Sequence, residues 1–163
     1  MELAAQLLPL AAPGLAPPSS IRELGDEPVV ERVDDFSGSS RFADVLVGAV
    51  RREVNAVGQG SVAVVCADAW LERCERALTD AGVDFGRATR HGLDEQVTVV
   101  VVRMVKGLEL DSVIVVEPAD ILEADDRGPQ ALYVALTRAT RRLSLVHERP
   151  LPEVLLGSGG KRS

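Results

Sequence analysis

Two short segments of the sequence carry side chains suited to phosphate chemistry. Residues 106–111 read Lys-Gly-Leu-Glu-Leu-Asp, and residues 133–139 read Tyr-Val-Ala-Leu-Thr-Arg-Ala. Arg138 has a planar, permanently charged guanidinium that can contact a phosphate or a carboxylate through two hydrogen bonds. Glu109 is a hydrogen-bond acceptor, and Gly107 allows a sharp turn with no Cβ in the way of a ligand. From spacing alone, a solvated helix arginine and a plain turn between strands are the commoner interpretations.

Buried strands and one helix must position these segments. Residues 97–102 and 112–116 are continuous apolar runs, which are typical of parallel strands covered on both faces. A helix predicted over residues 128–140 places Gln130 and Arg138 on one face, because side chains four residues apart lie one turn apart. Its sheet-facing residues are Leu132, Ala135, Leu136 and Ala139. We expect both segments at the carboxyl edge of the sheet, where α/β proteins build their sites.

The rest of the chain adds further strands and helices. Strands are predicted over residues 28–33, 61–66, 83–85 and 141–148, and in the last of these Leu143, Leu145 and His147 alternate with Ser144 and Val146. Helices are predicted over residues 35–56, 67–81 and 151–156. The first helix has an apolar stripe of Phe42, Val45, Leu46, Ala49, Val50 and Val54. Strands that alternate with helices predict an α/β domain with a mostly parallel sheet.

Composition limits the class of protein. The 163 residues suffice for one domain, and 46% of them are hydrophobic, which permits a buried core. A formal net charge of −7 argues against an autonomous nucleic-acid-binding protein, although Arg138, Arg141 and Arg142 form a small basic cluster. His91 and His147 have no partners that suggest a catalytic triad. The two cysteines match no metal-ligand pattern and no secretory or membrane-spanning segment is visible, so we expect a reduced cytoplasmic compartment, no metal ligands and no membrane partner.

The two segments together resemble motifs V and VI in the second RecA-like domain of the UvrD/PcrA/Rep group of superfamily 1 helicase ATPases. Motif V of that group contains Lys-Gly-Leu-Glu, a hydrophobic residue and Asp, and motif VI reads Tyr-Val-Ala-Leu-Thr-Arg-Ala; both are matched without a gap. Residues 97–152 as a whole look closest to the HelD branch, whose members are RNA-polymerase-associated ATPases. The resemblance implies a RecA-like, P-loop NTPase-like domain of three layers.

The resemblance also implies roles for individual residues. Arg138 corresponds to the arginine finger, which neutralises charge on the γ-phosphate of ATP. Glu109 corresponds to the glutamate that accepts hydrogen bonds from the ribose. The ATP-binding residues of motif V are Lys106, Gly107 and Glu109. Lys106 and Asp111 are expected to shape the loop or to pair with Arg103 or Arg138, and the implied ligands are ATP and Mg²⁺.

Departures from the family limit what this chain does alone. It has neither a Gly-x-x-x-x-Gly-Lys-Ser/Thr phosphate loop nor an acidic Walker B strand end. We therefore expect ATP and Mg²⁺ to bind mainly to an N-terminal RecA-like domain of the same protein, and the isolated fragment to be inactive. Residues 1–18 are interpreted as a helix end and Pro-rich linker, 19–156 as the second RecA-like domain and 157–163 as a disordered tail.

These features favour a motor domain of a HelD-like ATPase that acts in RNA polymerase recycling. A short polar segment, residues 86–96, stands where DNA-unwinding relatives carry a large DNA-gripping insertion. Arg103, Met104 and Val105 also replace the small residue and histidine that commonly precede the motif V lysine. Two alternatives stay open: a fragment of a DNA helicase or translocase in repair, and a non-catalytic adaptor module of the same fold.

Overall fold

An all-parallel sheet of six strands organises the residues that the computed structural model describes, which are 28–33, 39–87, 95–152 and 155. The strands are β1 (Val29–Arg32), β2 (Val62–Cys66), β3 (Gly86–Arg87), β4 (Val97–Val101), β5 (Leu110–Val116) and β6 (Ala139–His147). They lie in the order β1-β6-β5-β2-β4-β3, and every neighbouring pair is parallel. The predicted α/β fold with a parallel sheet is thereby confirmed.

Helices cover both faces of this sheet. They are α1 (Ser39–Val57), α2 (Leu71–Asp80), α3 (Pro118–Glu123) and α4 (Gly128–Arg138), with single 3-10 turns at Asp68–Trp70 and Val102–Met104. Right-handed crossovers place α1 and α2 on one face, because both lead toward β3 in the strand order. The connections from β4 to β5 and from β5 to β6 lead the other way, so residues 102–109, α3 and α4 cover the opposite face.

The valine-rich runs form the centre of the core. Every residue of β2 and β4 is buried, and β5 is buried apart from the half-buried Asp111. The residues predicted to face the sheet are all buried: Leu132, Ala135 and Leu136 on α4, and Ala139 at the start of β6. Four residues of the predicted α1 stripe, Phe42, Leu46, Ala49 and Val50, are buried as well. Hydrophobic burial at these positions holds the strands and helices in place.

Several predicted boundaries and burial patterns are wrong. The short strand expected at residues 83–85 lies at β3, and the helix expected to reach Thr140 ends at Arg138 because β6 already begins at Ala139. The alternation predicted for the last strand is absent: all five residues from Leu143 to His147 are buried, since β6 lies between β5 and β1 under helices on both faces. The helix α3 was not predicted.

Gly128 explains how α3 and α4 pack so closely. A Cβ built on Gly128 would lie 2.0 Å from the carbonyl oxygen of Leu122, at the end of α3. Only glycine therefore permits this approach of two backbones, which sets the position at which α4 begins. The predictions for residues 1–18 and 157–163, and most of the predicted helix over 151–156, lie outside the described residues; within the latter, Leu155 is helical and buried. No helix within the described ranges is long and apolar enough to span a membrane.

Candidate functional site

Glu109 and Arg138 come together at the amino edge of the sheet. Leu110 is the first residue of β5, Ala139 is the first residue of β6, and the two are register partners. Glu109 and Arg138 directly precede this pair, and neighbouring strands are about 4.8 Å apart, so the two backbones are adjacent. The expectation of a site at the carboxyl edge is wrong for both residues, because α4 and residues 102–109 run back across the sheet before the next strand begins.

Arg138 is the last residue of α4, and its guanidinium forms no ion pair with the residues that the structure describes. Its side chain is half-buried, and its Nε atom is buried without a hydrogen-bond partner among those residues. Leu132 and Leu136 pack the same helix onto the sheet. A cation in the last turn is favoured by the helix dipole. A buried N–H without a partner is rare in folded proteins, so this Nε lacks the acceptor that a folded chain normally supplies.

Glu109 is exposed and follows a tight turn. Gly107 has a φ of +86°, a left-handed conformation that side chains other than glycine rarely adopt. A Cβ there would meet nothing within 4 Å, so the glycine is needed for its φ and leaves open space on the outer side. The N–H of Leu108 donates to the carbonyl oxygen of Val105 at 3.1 Å and closes the turn. The predicted sharp turn at Gly107 is confirmed.

Asp111 anchors the start of β5 to the start of β2. Its Oδ2 accepts the N–H of Ser61 at 2.8 Å and the hydroxyl of Ser61 at 3.3 Å, and its own N–H donates to Ser61 Oγ at 3.1 Å. A Cβ on Gly60 would lie only 2.8 Å from the same carboxylate oxygen. The expected pairing of Asp111 with Arg103 or Arg138 is therefore wrong; Arg103 instead pairs with Asp68 at 3.4 Å.

Lys106 lies at the opposite edge of the sheet from Glu109 and Arg138. It lines an open cleft of about 480 Å³ beside the carboxyl ends of β2 and β4, under the first half of α4. Arg103 and Arg127 also line this cleft, with Asp68 and Asp125 as the anionic side chains. Glu109 and Arg138 do not line it. The structure thus divides the predicted ATP-binding residues of motif V between the two edges of the sheet.

A protein-family model matches the part of the chain that contains both motifs. The model for the viral superfamily 1 RNA helicase core domain matches residues 64–147, just over half of the chain. The chain belongs to this helicase family. The matched residues include both predicted motifs and the Glu109–Arg138 pair.

A solved structure has the same fold as this helicase core domain. The C-terminal domain of a possible DNA helicase from Lactobacillus plantarum is 24% identical with a TM-score of 0.69, and the match covers 94% of this chain and 88% of that one. The Arterivirus nonstructural protein 10 helicase in complex with DNA is 21% identical with a TM-score of 0.49, over 73% of this chain and 28% of that one. No curated protein matches the chain. The likeness to the Lactobacillus domain shows that the two chains share this fold.

The helicase core domain contains a buried carboxylate, Glu53, that was not predicted from the sequence. Glu53 of α1 is fully buried and accepts hydrogen bonds from Ser112 Oγ at 2.8 Å, Arg142 Nε at 2.8 Å and Arg52 Nε at 3.1 Å. Burial, the largest single influence, raises the pKa of Glu53, but these hydrogen bonds together outweigh it and the pKa is lowered. Arg142 thus turns toward α1, and the predicted basic cluster with Arg138 is wrong. The only signal was a glutamate beside the apolar stripe of α1.

Glu117 is a second buried carboxylate, at the carboxyl end of β5. Its φ of +49° is left-handed, which is strained for a residue with a side chain. Its Oε2 accepts the N–H groups of Glu148 at 2.8 Å and Arg149 at 3.2 Å, whereas its Oε1 is buried without a partner. Burial raises the pKa of this carboxyl group more than those two hydrogen bonds lower it. No feature of the sequence indicated this residue.

The two cysteines of the helicase core domain are neighbours. Cys66 ends β2 and Cys74 lies on α2, and both are free and fully buried. A hydrogen bond with Cys66, followed by burial, raises the pKa of the Cys74 thiol. The Cys74 thiol is therefore held in the protonated, unreactive form. Within the described ranges, no group of three or more His, Cys, Asp or Glu side chains could hold a metal ion.

Proposed function

We propose that this helicase core domain is the C-terminal motor half of an ATP-hydrolysing superfamily 1 enzyme. In this proposal it supplies Arg138 and Glu109 to a nucleotide held by a second RecA-like domain. The observation that supports the proposal is the unpaired Arg138 guanidinium, with its Nε buried and lacking an acceptor, beside the exposed carboxylate of Glu109. A phosphate oxygen is an acceptor of the right charge for that group.

The lack of a partner at Arg138 is informative because acidic side chains are plentiful. The chain has 25 aspartates and glutamates against 18 lysines and arginines, yet Arg138 pairs with none that the structure describes. An unsatisfied buried donor costs about 1–3 kcal/mol of stability. Such a cost at a position of motif VI supports a site kept open for a ligand, since a nearby carboxylate would otherwise occupy the guanidinium.

Each side chain then has a defined task. Arg138 contacts the γ-phosphate and stabilises the negative charge that develops during phosphoryl transfer. Glu109 accepts hydrogen bonds from ribose hydroxyl groups, and the left-handed Gly107 lets the chain reach it through a tight turn. Mg²⁺, which supplies charge neutralisation at the phosphates when bound, is assigned to the other domain, because this chain has no phosphate-binding loop. Lys106 lines the cleft at the opposite, carboxyl edge and is given no contact with this nucleotide.

The experiment compares two arginine variants of the native polypeptide that contains this chain. Arg138→Ala is expected to lower the turnover number for ATP by about 10³-fold, the range measured for arginine fingers. Arg76→Ala is the matched control, since Arg76 is a helix arginine that is 70% exposed and paired only with Glu72. Phosphate release is the measurement. Equal turnover in the two variants would overturn the proposal and favour the non-catalytic adaptor.

We further propose that the whole protein acts on RNA polymerase in the manner of the HelD branch. The resemblance of residues 97–152, the net charge of −7 and the short connection between β3 and β4 support a protein partner. Purified native protein is expected to bind RNA polymerase and to release it from DNA in the presence of ATP. Release that does not depend on ATP, or the absence of binding, contradicts this proposal without affecting the arginine-finger assignment.

The carboxyl-edge cleft supports a second candidate, movement along DNA. Arg103, Lys106 and Arg127 line one open cleft, and cations spaced along a groove can contact successive phosphates. If this candidate holds, single-stranded DNA stimulates ATP turnover, and Arg127→Ala weakens that stimulation with a shallower salt dependence. If DNA has no effect on turnover, the protein-partner proposal stands alone.

A further inference from the structure

We propose that Thr140 is a positioning residue that sets Arg138 in its place relative to Glu109; this inference rests on the proposed function. Thr140 Oγ1 donates a hydrogen bond to the carbonyl oxygen of Leu110 at 3.1 Å. Leu110 directly follows Glu109, and Thr140 lies two residues after Arg138. A single side-chain hydrogen bond thus joins the two short segments that carry the site.

The need for this bond comes from an irregularity in the ladder between β5 and β6. Leu110 pairs with Ala139, but the next register pair is Ser112 with Arg142, so β6 contains one residue more than β5 over this stretch. Such a bulge interrupts the regular hydrogen bonds between the strands, bends the strand that carries it and frequently lies beside an active site. Thr140 lies inside the bulge, and its hydroxyl group supplies a cross-strand bond where the ladder is irregular.

β5 is the fixed reference in this arrangement. The Asp111–Ser61 hydrogen bonds attach the start of β5 to the residue before β2. The Gln96 side chain donates to the carbonyl oxygens of Gly58 and Gly60 and so stabilises the turn that precedes β2. Among the residues that the structure describes, the start of β6 has no such tie to a third strand, because the described part of β1 pairs with residues 144–147. The Thr140 hydroxyl is therefore the side-chain link nearest to Arg138 along the chain; two residues farther on, Glu53 bridges Arg142 of β6 to Ser112 of β5.

Loss of the link would let the bulge move along β6. A shift of one residue displaces the chain by about 3.3 Å and turns the side chains to the opposite face. Arg138 would then no longer meet the position at which Glu109 holds a nucleotide. Errors of this size in a catalytic group lower a rate steeply while leaving binding by the rest of the site intact.

The test uses Thr140→Val, Thr140→Ser and Thr98→Val in the native polypeptide that contains this chain. Thr98 is a matched control: it is buried at the start of β4, and its Oγ1 donates to the carbonyl oxygen of Glu95 at 3.4 Å, two strands away from β5. Thr140→Val is expected to lower the turnover number for ATP by about 10-fold to 100-fold. The KM for ATP should stay within about twofold, because ground-state binding is unchanged. Thr140→Ser keeps the hydroxyl and should restore turnover.

Three outcomes are decisive. A normal turnover number in Thr140→Val, or an equal fall in Thr98→Val together with an equal loss of thermal stability, would overturn the inference, because the hydroxyl would then be only structural. Arg138→Ala is measured in the same assay. If Arg138→Ala lowers turnover by about 10³-fold while Thr140→Val leaves it normal, only the role of Thr140 fails; if Arg138→Ala leaves turnover unchanged, the proposed function itself fails.

Discussion

Arginines at the two edges of the sheet differ in whether they form ion pairs within the chain. At the carboxyl edge, Arg149 pairs with Asp120 at 2.5 Å and with Glu123 at 2.8 Å, and Arg73 pairs with Glu148 at 3.0 Å. At the amino edge, Arg138 has no partner among the described residues and Glu109 is exposed. Charges that hold a fold together are matched within the chain, whereas a charge that serves a ligand must be left unmatched until the ligand binds.

Aromatic packing reinforces the matched edge. The Arg73 guanidinium lies 4.8 Å from the centroid of the Phe42 ring and 4.1 Å from that of Trp70, and Trp70 Nε1 donates to Asp120 Oδ2 at 2.6 Å. These contacts link α1, α2 and α3 where the strands end. The carboxyl edge is thus tied together by side chains, and the difference between the edges can be tested by removing one charge at a time.

The largest expected effect is functional and lies at the amino edge. Arg138→Ala should lower ATP turnover by about 10³-fold in the native polypeptide and yet leave the free energy of unfolding unchanged or slightly higher. The physical reason is that the variant removes a buried donor that has no acceptor in the chain. Turnover and denaturant unfolding are measured on the same preparation. A clear loss of stability would mean that Arg138 has a structural partner and would remove the contrast between the edges.

The next effect is on stability, at the buried carboxylate of α1. Glu53→Ala removes the buried carboxylate that accepts hydrogen bonds from Arg142 and Ser112, which should cost about 3–5 kcal/mol in the free energy of unfolding. Glu72→Ala is the control: this carboxylate is 82% exposed, so its loss should change stability by less than about 0.5 kcal/mol. Urea unfolding compares the two. Similar losses in both variants would contradict the assigned role of Glu53.

The same carboxylate predicts a dependence on pH. Because the folded-state pKa of Glu53 is lowered, its contribution to stability is complete above the ordinary carboxyl pKa and is lost as the pH falls through the folded value. Unfolding of the unmodified chain should therefore become easier in acid, and Glu53→Gln should reduce that sensitivity. An unchanged pH dependence in Glu53→Gln would show that other carboxylates cause it.

A smaller effect of opposite sign is expected from Glu117 at the carboxyl edge. Burial raises the folded-state pKa of Glu117, with Asp120 and His147 as its charged or titratable neighbours, so stability is greatest below the ordinary carboxyl pKa and declines as the pH rises through the folded value. Glu117→Gln, which stays neutral, should be stabilised relative to the unmodified chain at neutral pH by on the order of 1 kcal/mol. A stability difference that does not vary with pH would contradict this assignment.

The smallest effect should come from the exposed pairs of the carboxyl edge. Arg149→Ala removes contacts to Asp120 and Glu123, but the side chain is 47% exposed and surface ion pairs contribute little in water. The change in unfolding midpoint should be slight and should vanish at high salt. A large loss that persists at high salt would show that the matched edge is held by this pair rather than by the aromatic packing.

The strands, most of the helices and the candidate site residues could be predicted from the sequence alone. Runs such as residues 97–102 predict buried strands because burial on both faces leaves only apolar side chains, and residues 133–139 identify Arg138 because the motif is contiguous. The edge that Arg138 and Glu109 share could be seen only in the folded chain. The same holds for the hydrogen bond between Arg142 and Glu53, which are 89 residues apart, and for the contact between Cys66 and Cys74. Periodicity depends on neighbours along the chain, whereas these contacts depend on the lengths and directions of the crossovers, which no local pattern records.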